Sequence, residues 1–428
     1  MCTLRNLRLL FPLLGCSLLL LLAVYSPQPL LAANSLHISN QVQTVAMPAT
    51  STTCPADGTA RPAVMTPLAL GSHQNIVYVY NEIPPNTSTA YGHIKRYDVT
   101  TGQKTVIATS GLSIQHAQVS ADGQWVLFLS QVDPRGDPNH SAMLQLVRMD
   151  GQGLQTLYCL PSSVTSASVQ WSTDQKSVLI STDASNSIST VTLLTLATGN
   201  LQTELNITDT NYSYTVLTWL DTTRAYVERI GRWGPPPPIT LYLLDTRSQA
   251  LTQVLQHAVR FSYLSMDSGY DGTKLFVSFC FDQAGFDTTI SVEPATGGTQ
   301  QIIYHQAQTI CVHTLRAVSS TILLMVGQRY DPAHGTFFNQ AWKMKPDGSG
   351  RTVLFDTPDN GTTYNLNVFT QFPWSNVSRD GSLYSLQTST NDGSNLQTLD
   401  YASLNGGTPI QFAYTTRGSV DIVGWTTM

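Results

Sequence analysis

The feature that most constrains this chain is a strand pattern that returns at intervals of roughly 50 residues from about residue 75 to the C-terminus, the spacing of a repeated supersecondary unit. Each copy has four beats: a strand ending in an aromatic or apolar anchor, a tight turn, a strongly apolar strand, then two further strands after a variable loop. The second copy is the clearest. Ala117-Gln118-Val119-Ser120 leads through Ala121-Asp122-Gly123 to Trp125-Val126-Leu127-Phe128-Leu129; Leu144 to Met149 closes at Asp150-Gly151, and Leu154 to Tyr158 makes the last strand. Short runs of Val, Leu and aromatics between turn residues read as strands, and Gly after Asp supplies the positive φ of a tight hairpin.

The apolar second strands begin at Ile76, Trp125, Val178, Ala225, Leu275, Ile322 and Leu383, and the first-strand anchors are Val119, Trp171, Trp219, Met266, Leu315, Trp374 and Trp425. Both series count seven. A four-stranded unit buries its faces only against neighbours, so the chain is expected to be all-β, a seven-bladed β-propeller of four-stranded blades. Val420 to Trp425 is a first strand with no blade after it, while the first blade starts near its second strand. The ring is therefore expected to close by the C-terminal strand pairing into the first blade, which removes exposed sheet edges. The alternative is eight blades, if Ala63 to Leu70 is an inner strand of its own.

Val119 to Leu129 together with Met149-Asp150-Gly151 resembles the TolB-like, WD40-like propeller repeat, and the likeness extends over most of the chain after the N-terminal segment. The resemblance implies an exported propeller. TolB proteins also carry an N-terminal α/β domain, for which residues 34–62 are too short and too rich in Ser and Thr, so the likeness bears on fold and not on role.

Residues 1–33 read as an export signal: Arg5 and Arg8, an apolar run from Leu9 to Val24, and a small-residue exit at Leu31-Ala32-Ala33. An uncleaved anchor and a lipid-bearing Cys16 are the alternatives. A Ser/Thr-rich arm over 34–62 and one propeller domain over 63–428 follow. The expected location is secreted or extracytoplasmic, associated with the cell envelope, with membrane contact only through the N-terminal segment. Charged residues are 11% of the chain and the net charge is -5, without a basic stripe, which argues against nucleic acid as a partner.

Beyond the signal stand Cys54, Cys159, Cys280 and Cys311, an even count that an oxidising compartment allows to pair. Strand direction places Cys280 and Cys311 near one face, so a disulfide between them is expected, with Cys159 holding Cys54 of the arm. Four buried thiols are the alternative.

No Gly-x-Ser-x-Gly elbow and no His-Glu-x-x-His occurs, and no catalytic residue or metal site is assigned. Ser378-Arg379-Asp380-Gly381 resembles a sialidase turn in letters but reads as a structural hairpin. The loops after the second strands are long: 82–92, 131–141, 229–238, 327–336 and 391–395. Binding residues concentrate in such loops on a rigid scaffold. The candidate partner face therefore holds Arg232 and Trp233 beside Pro235 to Pro238, Tyr330, Asp331 and His334, and Asp133, Arg135 and Asp137 of an Arg-Gly-Asp turn. No cofactor is expected; Ca²⁺ on Asp133, Asp137 and Asn139 is the alternative. The expected function is non-catalytic binding of a protein, peptide or glycan at the cell surface by a monomer. The alternative is a carbohydrate-active hydrolase or lyase with its site over the central channel.

Overall fold

A computed structural model describes residues 51–232, 239–257, 263–281, 286–366, 373–390 and 394–428. Its strands form seven antiparallel sheets of four, the blades of a propeller. Blade 1 joins Gly418–Thr427 to Gln74–Glu82, Tyr91–Asp98 and Lys104–Ser110. Blades 2 to 7 begin at Ile114–Val119, Val164–Trp171, Tyr212–Trp219, Tyr263–Asp267, Ile310–Ser319 and Thr362–Asn365, each first strand followed by its next three in chain order.

The continuous apolar runs of the second strands follow from burial on both faces. In Trp125–Gln131, Trp125, Leu127 and Leu129 enter the core shared with blade 3, while Val126 and Phe128 enter the core shared with blade 1. Period-two alternation thus makes one strand serve two seams. Seven apolar clusters result, one between each pair of neighbouring blades. Trp125, Trp171, Trp219, Trp342 and Trp425 are fully buried within them.

A register shift recurs between the third and fourth strands of every blade, at Ile94/Lys95, Leu144/Gln145, Val191/Thr192, Leu241/Tyr242, Ile290/Ser291, Ala341/Trp342 and Leu399/Asp400. Such bulges increase local twist, and here each lies between the two outer strands of its blade.

The C-terminal strand closes the ring: Ile76 pairs with Trp425 and Glu82 with Gly418. Gly418 has φ +117°, and a Cβ there would stand 1.9 Å from the Asn81 carbonyl oxygen, so the closing strand begins at a position only glycine fits. Arg379 fastens the other face. Its guanidinium donates to the carbonyls of Trp425 (2.8 Å), Ala121 (2.7 Å) and Ser120 (3.1 Å) and lies 4.4 Å from the Trp374 ring centroid. Blades 7, 1 and 2 meet on this one side chain, whose desolvation lowers its pKa to about 10. The Ser378–Gly381 segment is thus a structural turn.

Ala63–Leu70 forms no strand, and the count is seven rather than eight. Residues 51–73 instead run along blades 2 and 3 and reach Met428, after the closing strand of blade 1, at His73. Thr156 N donates to Ser51 O (2.9 Å), Arg61 N to Leu157 O (2.8 Å) and Ala63 N to Leu196 O (2.7 Å). Cys54 is bonded to Cys159 on the outer strand of blade 2, whose edge the arm covers. Trp374 also departs from expectation: it lies in the 3-10 turn Pro373–Ser375, beyond the end of Thr362–Asn365. Pro373 has no N–H to continue the ladder.

Candidate functional site

The loops between second and third strands, and those between blades, emerge on one face around the channel. There a cavity of about 960 Å³ opens over blades 1, 2, 3 and 7. Its wall is built from the ends of inner strands and from the loops 83–90, 395–396 and 416–417, which carry mostly short polar side chains. Ser113, Gln115, Thr165, Ser166, Gln397 and Ser419 supply hydroxyls and amides. Among the described residues the charged members of the lining are Arg417 and Asp421.

Asp421 accepts a hydrogen bond from Gln387 Nε2 (3.0 Å), and burial pushes its pKa up against the lowering effect of Gln387 and Ser419. Asn81 spans two blades, donating to Ile114 O (2.9 Å) and Ser419 Oγ (3.0 Å) while its own oxygen accepts from Ile114 N (2.8 Å). Arg417 reaches Pro84 O at 3.3 Å and remains exposed. The wall is therefore preorganised by backbone-anchored amides, with hydrogen-bonding groups also on the exposed Gln115 and Ser166, while the Thr165 hydroxyl donates to Asp183 O (2.9 Å).

The residues singled out from the sequence fall into separate places on this face. Tyr330 stands beside Phe337 (ring centroids 5.0 Å) and Phe286 (6.4 Å), the last two 5.2 Å apart. Phe286 holds a positive φ of 62°, a strained backbone for a bulky residue, and Phe337 is 41% exposed. This aromatic cluster bridges blades 5 and 6. Next to it Asp331 Oδ2 accepts a hydrogen bond from His334 Nδ1 at 2.9 Å, and that hydrogen bond first of all holds the Asp331 carboxyl below its usual range.

Asp133, Arg135 and Asp137 lie on blade 2, with blades 1 and 7 between them and the aromatic cluster. Asp133 Oδ1 accepts from Arg135 N (2.9 Å), so the tripeptide is closed into a turn on its own backbone. Asp137 contacts His140 Nδ1 at 2.7 Å, and His140 Nε2 lies 3.3 Å from Asp57 of the arm. Cys54, Asp137 and His140 have metal-ligand proximity, but Cys54 is consumed in its disulfide and has no thiolate to give.

Arg232 does not face solvent. It donates to both Asp183 oxygens, to Ser189 Oγ (3.1 Å) and to the carbonyls of Asp209 and Tyr212 (both 2.9 Å), clasping blade 3 to blade 4. A guanidinium so engaged ties the seam between these blades together. Trp233 lies outside the described residues, as does the expected signal. Cys280 is bonded to Cys311, joining blades 5 and 6 near the loop-rich face. Two disulfides suit an oxidising compartment.

Sequence reasoning passed over the channel-mouth cavity because its wall is made of ordinary Ser, Thr and Gln residues contributed by distant blades. It also passed over Phe286 and Phe337, which carry no motif. An aromatic at a strand end close to Tyr330, Phe337, is the signal that was present.

No protein-family model matches the chain, and no curated protein matches it in sequence. Solved structures match in fold. A prolyl endopeptidase superposes with TM-score 0.53 at 11% identity over 81% of this chain and 50% of its own, so this chain spans about half that protein's length. An oligogalacturonate lyase from Vibrio parahaemolyticus gives TM-score 0.50 at 14% identity, covering 80% of this chain and 86% of that one. TolB from Acinetobacter baumannii is also among the matches, with TM-score 0.42 and 15% identity over 80% and 81%. At these identities the likeness concerns the fold alone, which serves binding proteins and enzymes alike.

Proposed function

We propose that this protein is a non-catalytic, extracytoplasmic binding propeller that takes a protein, peptide or glycan at the channel mouth of its long-loop face. The observation that carries this reading is the wall of the cavity of about 960 Å³: hydroxyls and amides held in fixed positions, with Arg417 and Asp421 as its charged members. Such a wall matches the neutral hydrogen-bonding groups of a peptide backbone or a sugar chain. Glycoside hydrolysis works through two carboxyl groups set across a bond, and among the described residues Asp421 is the one carboxylate of this lining. The exposed Phe337 ring of the Tyr330 cluster provides apolar contact farther along the same face. The two disulfides support the extracytoplasmic setting.

The test is a glycan array together with a pull-down from envelope extracts, repeated with the mouth narrowed by Gln115→Trp and Ser166→Trp. Both positions are exposed, so the fold is expected to persist, which circular dichroism checks. Loss of capture in the narrowed variant is the expected result; undiminished capture would remove the channel mouth as the site.

A further inference from the structure

A second cavity lies away from the channel mouth, in the seam between blades 4 and 5. It has a volume of about 220 Å³ and walls formed by Leu217, Ile230, Leu241, Leu264, Met266 and Leu275. Alternation in the strand Arg224–Gly231 turns Tyr226, Glu228 and Ile230 to this same side, so a carboxylate occupies a position that the pattern otherwise gives to apolar residues. Ile230 is 41% exposed and marks the side on which the cavity meets solvent.

Polar groups in the lining differ sharply in how they are satisfied. Asp267 is paired with Arg316 (3.0 Å) and accepts from Gly269 N (2.9 Å). Ser265 Oγ accepts from Leu315 N (3.0 Å), and Tyr226 Oη donates to Ala295 O (2.5 Å). Glu228 has neither a hydrogen bond nor an ion pair among the described residues, and burial alone raises its pKa. A carboxylate partly withdrawn from water, with no partner among the described residues, is costly, and an entering cation that donates hydrogen bonds offsets that cost.

We infer that this cavity is a binding site for small primary ammonium ions with an apolar body, the ammonium pairing with Glu228 and the body lying against the aliphatic walls. The volume suits such a ligand: an apolar cavity of about 150 Å³ accepts benzene. The apolar walls alone would take a neutral compound of the same shape, so the charge on Glu228 is what sets the preference. This site is independent of the channel mouth, and its occupation does not rest on what that mouth binds.

The experiment is calorimetric titration of the full chain with 2-phenylethylammonium and with 2-phenylethanol, which share a body and differ in charge. The ammonium is expected to bind at least about ten-fold more tightly, a difference of about 1.4 kcal/mol. Glu228→Gln should erase the preference while leaving the alcohol's affinity within about two-fold, since the side-chain volume is kept. Glu228→Asp, which keeps the charge but withdraws it by one methylene, should retain part of the preference and serves if the glutamine variant does not fold. Equal affinities for the two compounds in the wild type, no binding of either, or a preference that survives Glu228→Gln would each overturn the inference.

Discussion

Two seams of the same ring, between blades 2 and 3 and between blades 4 and 5, are built to one plan and end in different states. At the first, 14 buried apolar residues, Trp125 and Trp171 among them, interdigitate, and Ala60, Ala63 and Met65 of the arm seal its outer side. At the second, the described residues supply seven, and a cavity remains beside Glu228. A repeat fixes the backbone spacing of its seams but not their filling. One seam gained a strap and a disulfide, while the other kept room for a ligand.

The contrast can be broken most forcefully at the strap. The Cys54–Cys159 bond closes a loop of 105 residues and Cys280–Cys311 one of 31, so chain entropy predicts contributions of about 5 and about 4 kcal/mol. Denaturant unfolding of Cys54→Ala/Cys159→Ala against Cys280→Ala/Cys311→Ala is expected to rank them in that order. The reverse order would mean that the arm's hydrogen bonds hold it without the crosslink.

Truncation within the two cores gives the next largest effect. Leu146→Ala opens a void among close-packed neighbours and is expected to cost about 4 kcal/mol. Leu241→Ala enlarges a space that already exists and is expected to cost about 2 kcal/mol. Equal losses by chemical denaturation would mean that the loose seam is as tightly packed as the other.

Filling the second seam should then make it resemble the first. Glu228→Leu removes a carboxyl that has no partner among the described residues and adds apolar volume, for an expected gain of about 1 kcal/mol. A loss of stability would show that the carboxylate is held by an interaction the seam requires.

The smallest effect is in pH. Burial raises the Glu228 pKa in the folded chain, so the folded state binds more protons than the unfolded one once pH exceeds the ordinary glutamate value. Its contribution is therefore favourable at low pH and is lost as pH rises through the raised folded value. Glu204 and Glu293, raised to about 7 by burial, act in the same direction, whereas the buried His116, lowered to about 4, acts oppositely. Melting temperatures of wild type and Glu228→Gln should accordingly diverge as pH rises above about 4.5, the wild type falling behind. Parallel curves would place Glu228 in water.

The turns illustrate how far local letters reach. In Ser120–Gly123, Ser120 Oγ donates to Asp122 Oδ1 (2.5 Å), which accepts from Gln124 N (3.1 Å), while Trp125 N donates to Ser120 Oγ (3.0 Å). Ser378–Gly381 repeats the arrangement, with Ser378 Oγ to Asp380 (2.6 Å) and Leu383 N to Ser378 Oγ (2.9 Å). The turn at Ser172 does so too, yet Gln175 replaces the glycine at φ +60°, so its letters hide it. Local hydrogen bonding can hold a conformation that composition disguises. For the binding face the reach was shorter: Arg232 looked available because its neighbours in sequence are loop residues, whereas Asp183 and Ser189, distant in sequence, bury it.

By itself the sequence determined the strands, their grouping in fours, the number seven and the closure through Trp425, because alternation and turn chemistry act over a few residues and repeat. The tertiary structure alone decided which seams fill, which charges find partners and where the mouth opens. Those outcomes depend on side chains from blades far apart in the chain meeting at distances that no local pattern encodes.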